Sequence, residues 1–216
     1  MDALISLMSL ILHFDEHLKT FIQNYGTWTY ALLFIIIFCE TGLVVTPFLP
    51  GDSLLFAAGA LAALGDLNPL WLLGLLIMAA FAGDTVNYWV GHYVGERAFE
   101  GYIPLVKKQH LLHTQNFYEK YGGKTIILAR FIPIVRTFAP FVAGIGRMNY
   151  GRFITYNIVG GVMWVSLFVL AGFFFGNLAF VQENFSVVVL VIIFISVLPM
   201  LFELVKHRLS VSKEAV

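Results

Sequence analysis

The run Ala129-Arg130-Phe131-Ile132-Pro133-Ile134-Val135-Arg136-Thr137 decides how this chain is read, because it sets two arginines inside an apolar stretch on either side of a proline. Proline lacks a backbone donor and disfavours helix in the residue before it, so Pro133 predicts a helix break. On an unbroken helix Arg130 and Arg136, six residues apart, would point about 120° apart. A break at Pro133 lets both guanidiniums turn towards one place, and it opens a new half-helix whose N-terminal amides also favour anions. The apolar arm that follows, Thr137 to Gly146, is ten residues long. That is too short to cross a bilayer.

A second broken stretch lies upstream. Thr46-Pro47-Phe48-Leu49-Pro50-Gly51-Asp52 precedes the apolar block Ser53 to Gly65, which is only thirteen residues long. Pro47, Pro50 and Gly51 are the predicted break points here, as Pro133 is in the other arm. Short apolar arms around broken centres predict two re-entrant hairpins, and such backbone survives at membrane depth only where protein or water covers it.

The rest of the chain demands a membrane. Of its 216 residues, 59% are hydrophobic and 12% charged, with a mean hydropathy of +0.84, whereas soluble domains carry about 25% charged residues. Four longer apolar blocks, Thr20 to Cys39, Leu67 to Gly83, Phe153 to Gln182 and Asn184 to Phe202, approach or exceed the span of a hydrocarbon core. Thirteen basic residues balance thirteen acidic ones, which excludes nucleic-acid binding by bulk electrostatics. A lone cysteine, Cys39, excludes an internal disulfide framework. The expected fold is an all-α membrane protein, one integral domain over 1–216, with transmembrane helices, two oppositely oriented re-entrant hairpins in a pseudo-symmetric inverted arrangement, and amphipathic interfacial helices. Its parts are an amphipathic segment at 1–19, a core at 20–205 and a basic tail at 206–216.

Orientation follows from the basic residues. With the tail carrying Lys206, Arg208 and Lys213 placed inside, a backward trace puts eleven of the thirteen basic residues on the cytoplasmic side and none in an external loop. The positive-inside rule is thereby met, predicting a multi-pass protein with both termini cytoplasmic. The first nineteen residues lack a basic n-region and a clear cleavage site, so an interfacial helix is expected rather than a cleaved signal peptide. Glu96 to Lys124 reads as a second interfacial stretch. His110 and His113 stand one turn apart there without a third ligand, so a solvated helix face is expected and no metal or cofactor is predicted.

Five ionisable residues interrupt the apolar regions: Glu40, Asp52, Asp84, Arg130 and Arg136. Each, unpaired at the bilayer centre, costs on the order of 2.5–3.5 kcal/mol, so the acidic first hairpin is expected to meet the basic second one. Two arginines and free amides suit phosphate, which guanidinium binds in a bidentate fork. The plainer reading pairs the arginines with Glu40 and Asp52 for charge balance alone. Glu40 and Asp52 flank the broken segment, where a carboxyl pulled by burial one way and by an arginine the other can exchange a proton. Asp52 equally suits a helix N-cap, and Asp84 a polar contact between helices. Gly160 and Gly161 are read as packing glycines, and the tryptophans, Trp164 among them, as lipid-facing, interfacial or core residues.

The stretch Phe38-Cys39-Glu40-Thr41-Gly42 through Pro47-Phe48-Leu49-Pro50-Gly51-Asp52-Ser53, then Gly83-Asp84 with Tyr88 and Gly95, resembles the DedA family of membrane proteins. So does Ala129 to Thr137 with Ala143-Gly144, Met148, Phe153, Asn157, Gly160 and Trp164. The likeness runs over Thr20 to Val205. It implies a bacterial inner-membrane protein with two opposed re-entrant hairpins, related to the VTT-domain lipid scramblases. It also implies a part in returning undecaprenyl phosphate, the carrier lipid of cell-wall synthesis, across the membrane, and in resistance phenotypes that depend on the proton motive force. The family's functional acids map onto Glu40 and Asp52 and its functional arginines onto Arg130 and Arg136.

The expected function is therefore a flippase for undecaprenyl phosphate or a similar phosphate-headed lipid, coupled to protons. Arg130 and Arg136 hold the phosphate, Glu40 and Asp52 carry protons, and Asp84 lends polar support. The rivals are a proton-coupled cation antiporter, a lipid scramblase without coupling, and an assembly factor with no substrate. An enzyme is not expected, because all six histidines lie outside both hairpins and acid–base chemistry needs reach to the substrate. The sequence leaves a homo-oligomer open.

Overall fold

The computed structural model describes residues 26–43, 51–94, 108–183 and 191. The segment 1–19, Pro47, Pro50, the block Asn184 to Phe202 apart from Val191, and the tail 206–216 lie outside them. Every regular element among the described residues is helical. In order these are α1 (Thr27–Gly42), α2 (Gly51–Ala63), α3 (Pro69–Val94), α4 (Lys108–Tyr121), a 3₁₀ turn (Gly122–Lys124), α5 (Thr125–Ala129), α6 (Pro133–Ile145), α7 (Tyr150–Gly176) and α8 (Ala179–Glu183).

Two of these are long and apolar enough to cross a membrane: α3 has 26 residues and α7 has 27. At 1.5 Å per residue each runs about 40 Å. Most of their exposed positions are themselves apolar, Leu70, Trp71, Met78, Val90 and Tyr93 on α3 and Ile158, Val162, Met163, Leu167 and Phe174 on α7. Such a surface is a liability in water and the natural one in lipid.

The helix ends correct the block boundaries read from the sequence. The block from Leu67 was expected to stop at Gly83, before a charge, yet α3 continues through Asp84 and Asn87 to Val94. A paired charge does not end a helix, and Asp84 is paired. The block Phe153 to Gln182 was read as continuous, whereas α7 stops at Gly176 and a separate short helix follows at Ala179–Glu183. Asp52 lies inside the first turn of α2, which begins at Gly51, and so is not its N-cap. An acid in that turn still complements the helix dipole.

The described residues fall into two compact units, one within Tyr30–Leu49 and Leu70–Leu167, the other within Met1–Thr29, Pro50–Pro69 and Phe168–Val216. In the second unit α2 lies backbone to backbone on the C-terminal part of α7. A side chain at Gly59 would strike the Val169 carbonyl, and one at Gly172 the Phe56 carbonyl. Small residues give membrane helices this close approach, and the Phe56 and Phe175 rings pack beside it with centroids 5.8 Å apart.

The first unit holds the broken helix. Arg130, Phe131 and Ile132 donate back three residues, to Ile127, Leu128 and Ala129, in a tightened turn that ends α5. Ile132 is extended at φ −123° and ψ 105°, as the residue before a proline should be, and Pro133 opens α6. Val135 to Gly144 are buried without exception, so protein covers this short helix on all sides. Tyr88 on α3 stacks on Phe153 of α7, centroids 4.4 Å apart, and its hydroxyl donates to the Met148 carbonyl at 2.5 Å. Amphipathic α4 turns Thr114 and Tyr118 inward and leaves Gln115, Asn116, Glu119 and Lys120 exposed. Burial, and secondarily the Asp84 charge, pushes the Tyr118 phenol well above its ordinary range. It stays protonated and donates to the Ala139 carbonyl at 2.9 Å.

Candidate functional site

The broken turn delivers Arg130 and Arg136 into the interior of the first unit, at 2% and 8% exposure. Each meets an acid from a different helix. Arg136 pairs through Nη2 with Oε1 of Glu40, in the last turn of α1. Arg130 pairs through Nη2 with Oδ2 of Asp84, in the middle of α3. Glu40 and Asp84 are each only 3% exposed, so the site is two desolvated ion pairs.

Glycines bring those acids together. A Cβ on Gly42 would lie 3.2 Å from the Gly83 Cα, and one on Gly83 would collide with the Thr41 side chain. Helices α1 and α3 therefore cross at the residues beside Glu40 and Asp84. On the other side α7 makes room for an arginine: a Cβ on Gly160 would stand 3.0 Å from both Cδ and Nε of Arg130. Gly160 and Gly161 line a slot for that side chain.

Two side chains to which the sequence assigns no part in the site complete it. Asn157 on α7 accepts from Arg130 Nη2 at 2.6 Å and donates to the Phe81 carbonyl at 3.1 Å, tying the guanidinium to α3 and α7. Trp164, fully buried, lies under both cations, its ring centroid 5.0 Å from Arg136 Cζ and 5.8 Å from Arg130 Cζ. An indole face attracts guanidinium with roughly 0.5–2 kcal/mol, which offsets part of the repulsion between the two arginines. Neither residue carries charge, and a search for charges in apolar stretches does not find them.

Of the predicted site residues, Glu40, Asp84, Arg130 and Arg136 come together. Asp84 holds the place beside Arg130 that the plainer charge-balance reading gave to an acid of the first hairpin. Asp52 is half-buried in α2 and belongs to the other unit. Among the break points, Pro133 stands at the start of α6 and Gly51 at the start of α2. A cleft of about 900 Å³ opens in the first unit among Tyr118, Met148, Asn149, Arg152 and Tyr156, and neither arginine lines it.

Bilayer-length apolar helices around buried arginine–carboxylate pairs define an integral membrane protein with a polar centre. Comparison with known proteins gives the same class and narrows it. The model of the VTT domain matches residues 49–174. The chain is 51% identical to Protein DedA of Escherichia coli strain K12, over the full length of both. It is 42% identical to an uncharacterized membrane protein of Mycobacterium tuberculosis strain H37Rv, over 82% of this chain and 79% of the other. It is 34% identical to Inner membrane protein YqjA of Escherichia coli strain K12, over 68% of each. No solved structure matches. The chain belongs to the DedA family of VTT-domain membrane proteins.

Proposed function

We propose that this protein moves a phosphate-headed polyprenyl lipid, undecaprenyl phosphate or one like it, between the leaflets of a bacterial inner membrane, coupled to protons. The observation that carries the reading is the pair of desolvated guanidiniums on a broken helix. Arg130 uses Nη2 for Asp84 and Asn157, while its Nε and Nη1 make no hydrogen bond among the described residues. These unused donors lie on the two edges of the guanidinium that meet at Nη2, and charge-assisted N–H groups of this kind suit the oxygens of a phosphate.

In this reading the lipid head competes with the acids. Protonation of Glu40 releases Arg136, and both arginines then hold the phosphate while the polyprenyl tail stays in the bilayer. Loss of the proton restores the Glu40 to Arg136 pair and helps expel the head group. Asp84 neutralises Arg130 in the same way, and Asp52 serves as a further proton carrier. The broken segments around Pro47 to Gly51 and Pro133 form opposed re-entrant hairpins with inverted pseudo-symmetry, the arrangement that alternating access uses. Both termini lie in the cytoplasm.

Leaflet exchange of undecaprenyl phosphate in proteoliposomes carrying Arg136→Lys tests the fork. Lysine keeps the charge and loses the bidentate geometry, so exchange should fall on the order of tenfold or more. Undiminished exchange would remove Arg136 from phosphate binding.

A further inference from the structure

Asn87 is fully buried in α3, three residues beyond Asp84. Its Nδ2 donates to the Thr41 carbonyl at 3.1 Å and to the Thr137 carbonyl at 2.9 Å. Each acceptor follows directly on a charged partner: Thr41 on Glu40, and Thr137 on Arg136. Each also sits where a helix is interrupted. Thr41 lies in the last turn of α1, where carbonyls have no donor within the helix. Pro140 inside α6 brings no N–H to the Arg136 carbonyl, so the α6 ladder is interrupted at the residue just before Thr137.

One amide group thus fastens two interrupted helices, using both of its protons. The remaining Oδ1 has no hydrogen-bond partner among the described residues. A buried, unsatisfied acceptor is a cost that leucine would not carry, and the two donated bonds are what offset it. We propose that Asn87 is a positioning residue, a clamp that holds the end of α1 against the start of α6 and so sets Glu40 in register with Arg136. The Asp84 to Arg130 pair is held separately, by Asn157 from α7. This inference concerns the geometry of the charged centre and stands or falls independently of lipid transport.

A double-mutant cycle on the full-length protein in detergent tests it. Melting temperatures of the parent, Glu40→Gln, Arg136→Gln and the double variant give the coupling between the two partners. Repeated on an Asn87→Leu background, that coupling should fall by about half or more, while a matching cycle on Asp84→Asn and Arg130→Gln keeps its value. Asn87→Ser, which retains one donor, should give an intermediate loss and serves the same comparison where the leucine variant is not recovered. Unchanged coupling in both cycles would overturn the proposal, since Asn87 would then only fill space. Equal loss in both would overturn it too, by showing general loosening.

Discussion

Asp84 and Asn157 share a single nitrogen of Arg130: Nη2 donates to the carboxylate of one and to the amide oxygen of the other. The guanidinium is therefore fixed at one end by a helix that supplies charge and a helix that supplies a neutral acceptor. Removing the charge alone strands a buried cation. Asp84→Ala is expected to cost about 3–5 kcal/mol, and the double variant Asp84→Leu with Arg130→Met should be less damaging than the sum of the two single changes. Thermal unfolding in detergent reads both, and additive losses would contradict a desolvated pair.

Trp164 should matter through its ring and not its bulk alone. Trp164→Phe keeps an aromatic face under the arginines, whereas Trp164→Leu removes it. The leucine variant is expected to be less stable than the phenylalanine variant by about 1 kcal/mol. Equal melting temperatures would mean that neither cation uses the ring.

The crossing of α1 and α3 leaves no room at Gly83. Gly83→Val should destabilise the protein by about 1–3 kcal/mol through overpacking against Thr41 and the Phe38 carbonyl. Gly74, on the same helix with nothing near its Cβ direction, is the control. Substitution there by alanine should stabilise by a few tenths of a kcal/mol, up to about 1.

Helix α6 ends with Met148 donating to the Ala143 carbonyl at 2.9 Å and Arg147 to the Gly144 carbonyl at 3.0 Å, a Schellman turn. Its left-handed position is filled by Arg147, at φ +50°, where glycine avoids a clash worth roughly 1–2 kcal/mol. Arg147→Gly is therefore expected to raise stability, by about 0.5–1 kcal/mol once the freer unfolded glycine is counted. A lower melting temperature would show that the exposed arginine makes compensating contacts.

Much of this centre is legible in the chain itself. Arg130, Arg136 and Glu40 stand out because charge in an apolar stretch has to be neutralised, and Pro133 marks the break because it cannot donate. The identity of the partners is not legible. Whether Asp52 or Asp84 faces Arg130 depends on which helices cross, and that is decided by Gly42 and Gly83, glycines that look like any others in a membrane helix. The roles of Asn87, Asn157 and Trp164 are not legible for a related reason: an amide or indole in an apolar run is so often mere packing that only its contacts reveal its work. The end of α3 is not legible either, because Asp84 looks like a boundary in the sequence, and a charge with a buried partner is none.

In the proposed cycle phosphate-headed lipid displaces carboxylates from arginines in exchange for protons. Its most direct measurement is leaflet exchange of undecaprenyl phosphate in proteoliposomes of the purified protein, with and without a pH gradient, for the parent and for Glu40→Gln. The parent should exchange the lipid faster under a gradient, and Glu40→Gln should lose that acceleration. Exchange that ignores the gradient would make the protein an uncoupled scramblase, cation flux in place of lipid exchange would make it an antiporter, and no exchange by the parent under any gradient would contradict the account outright.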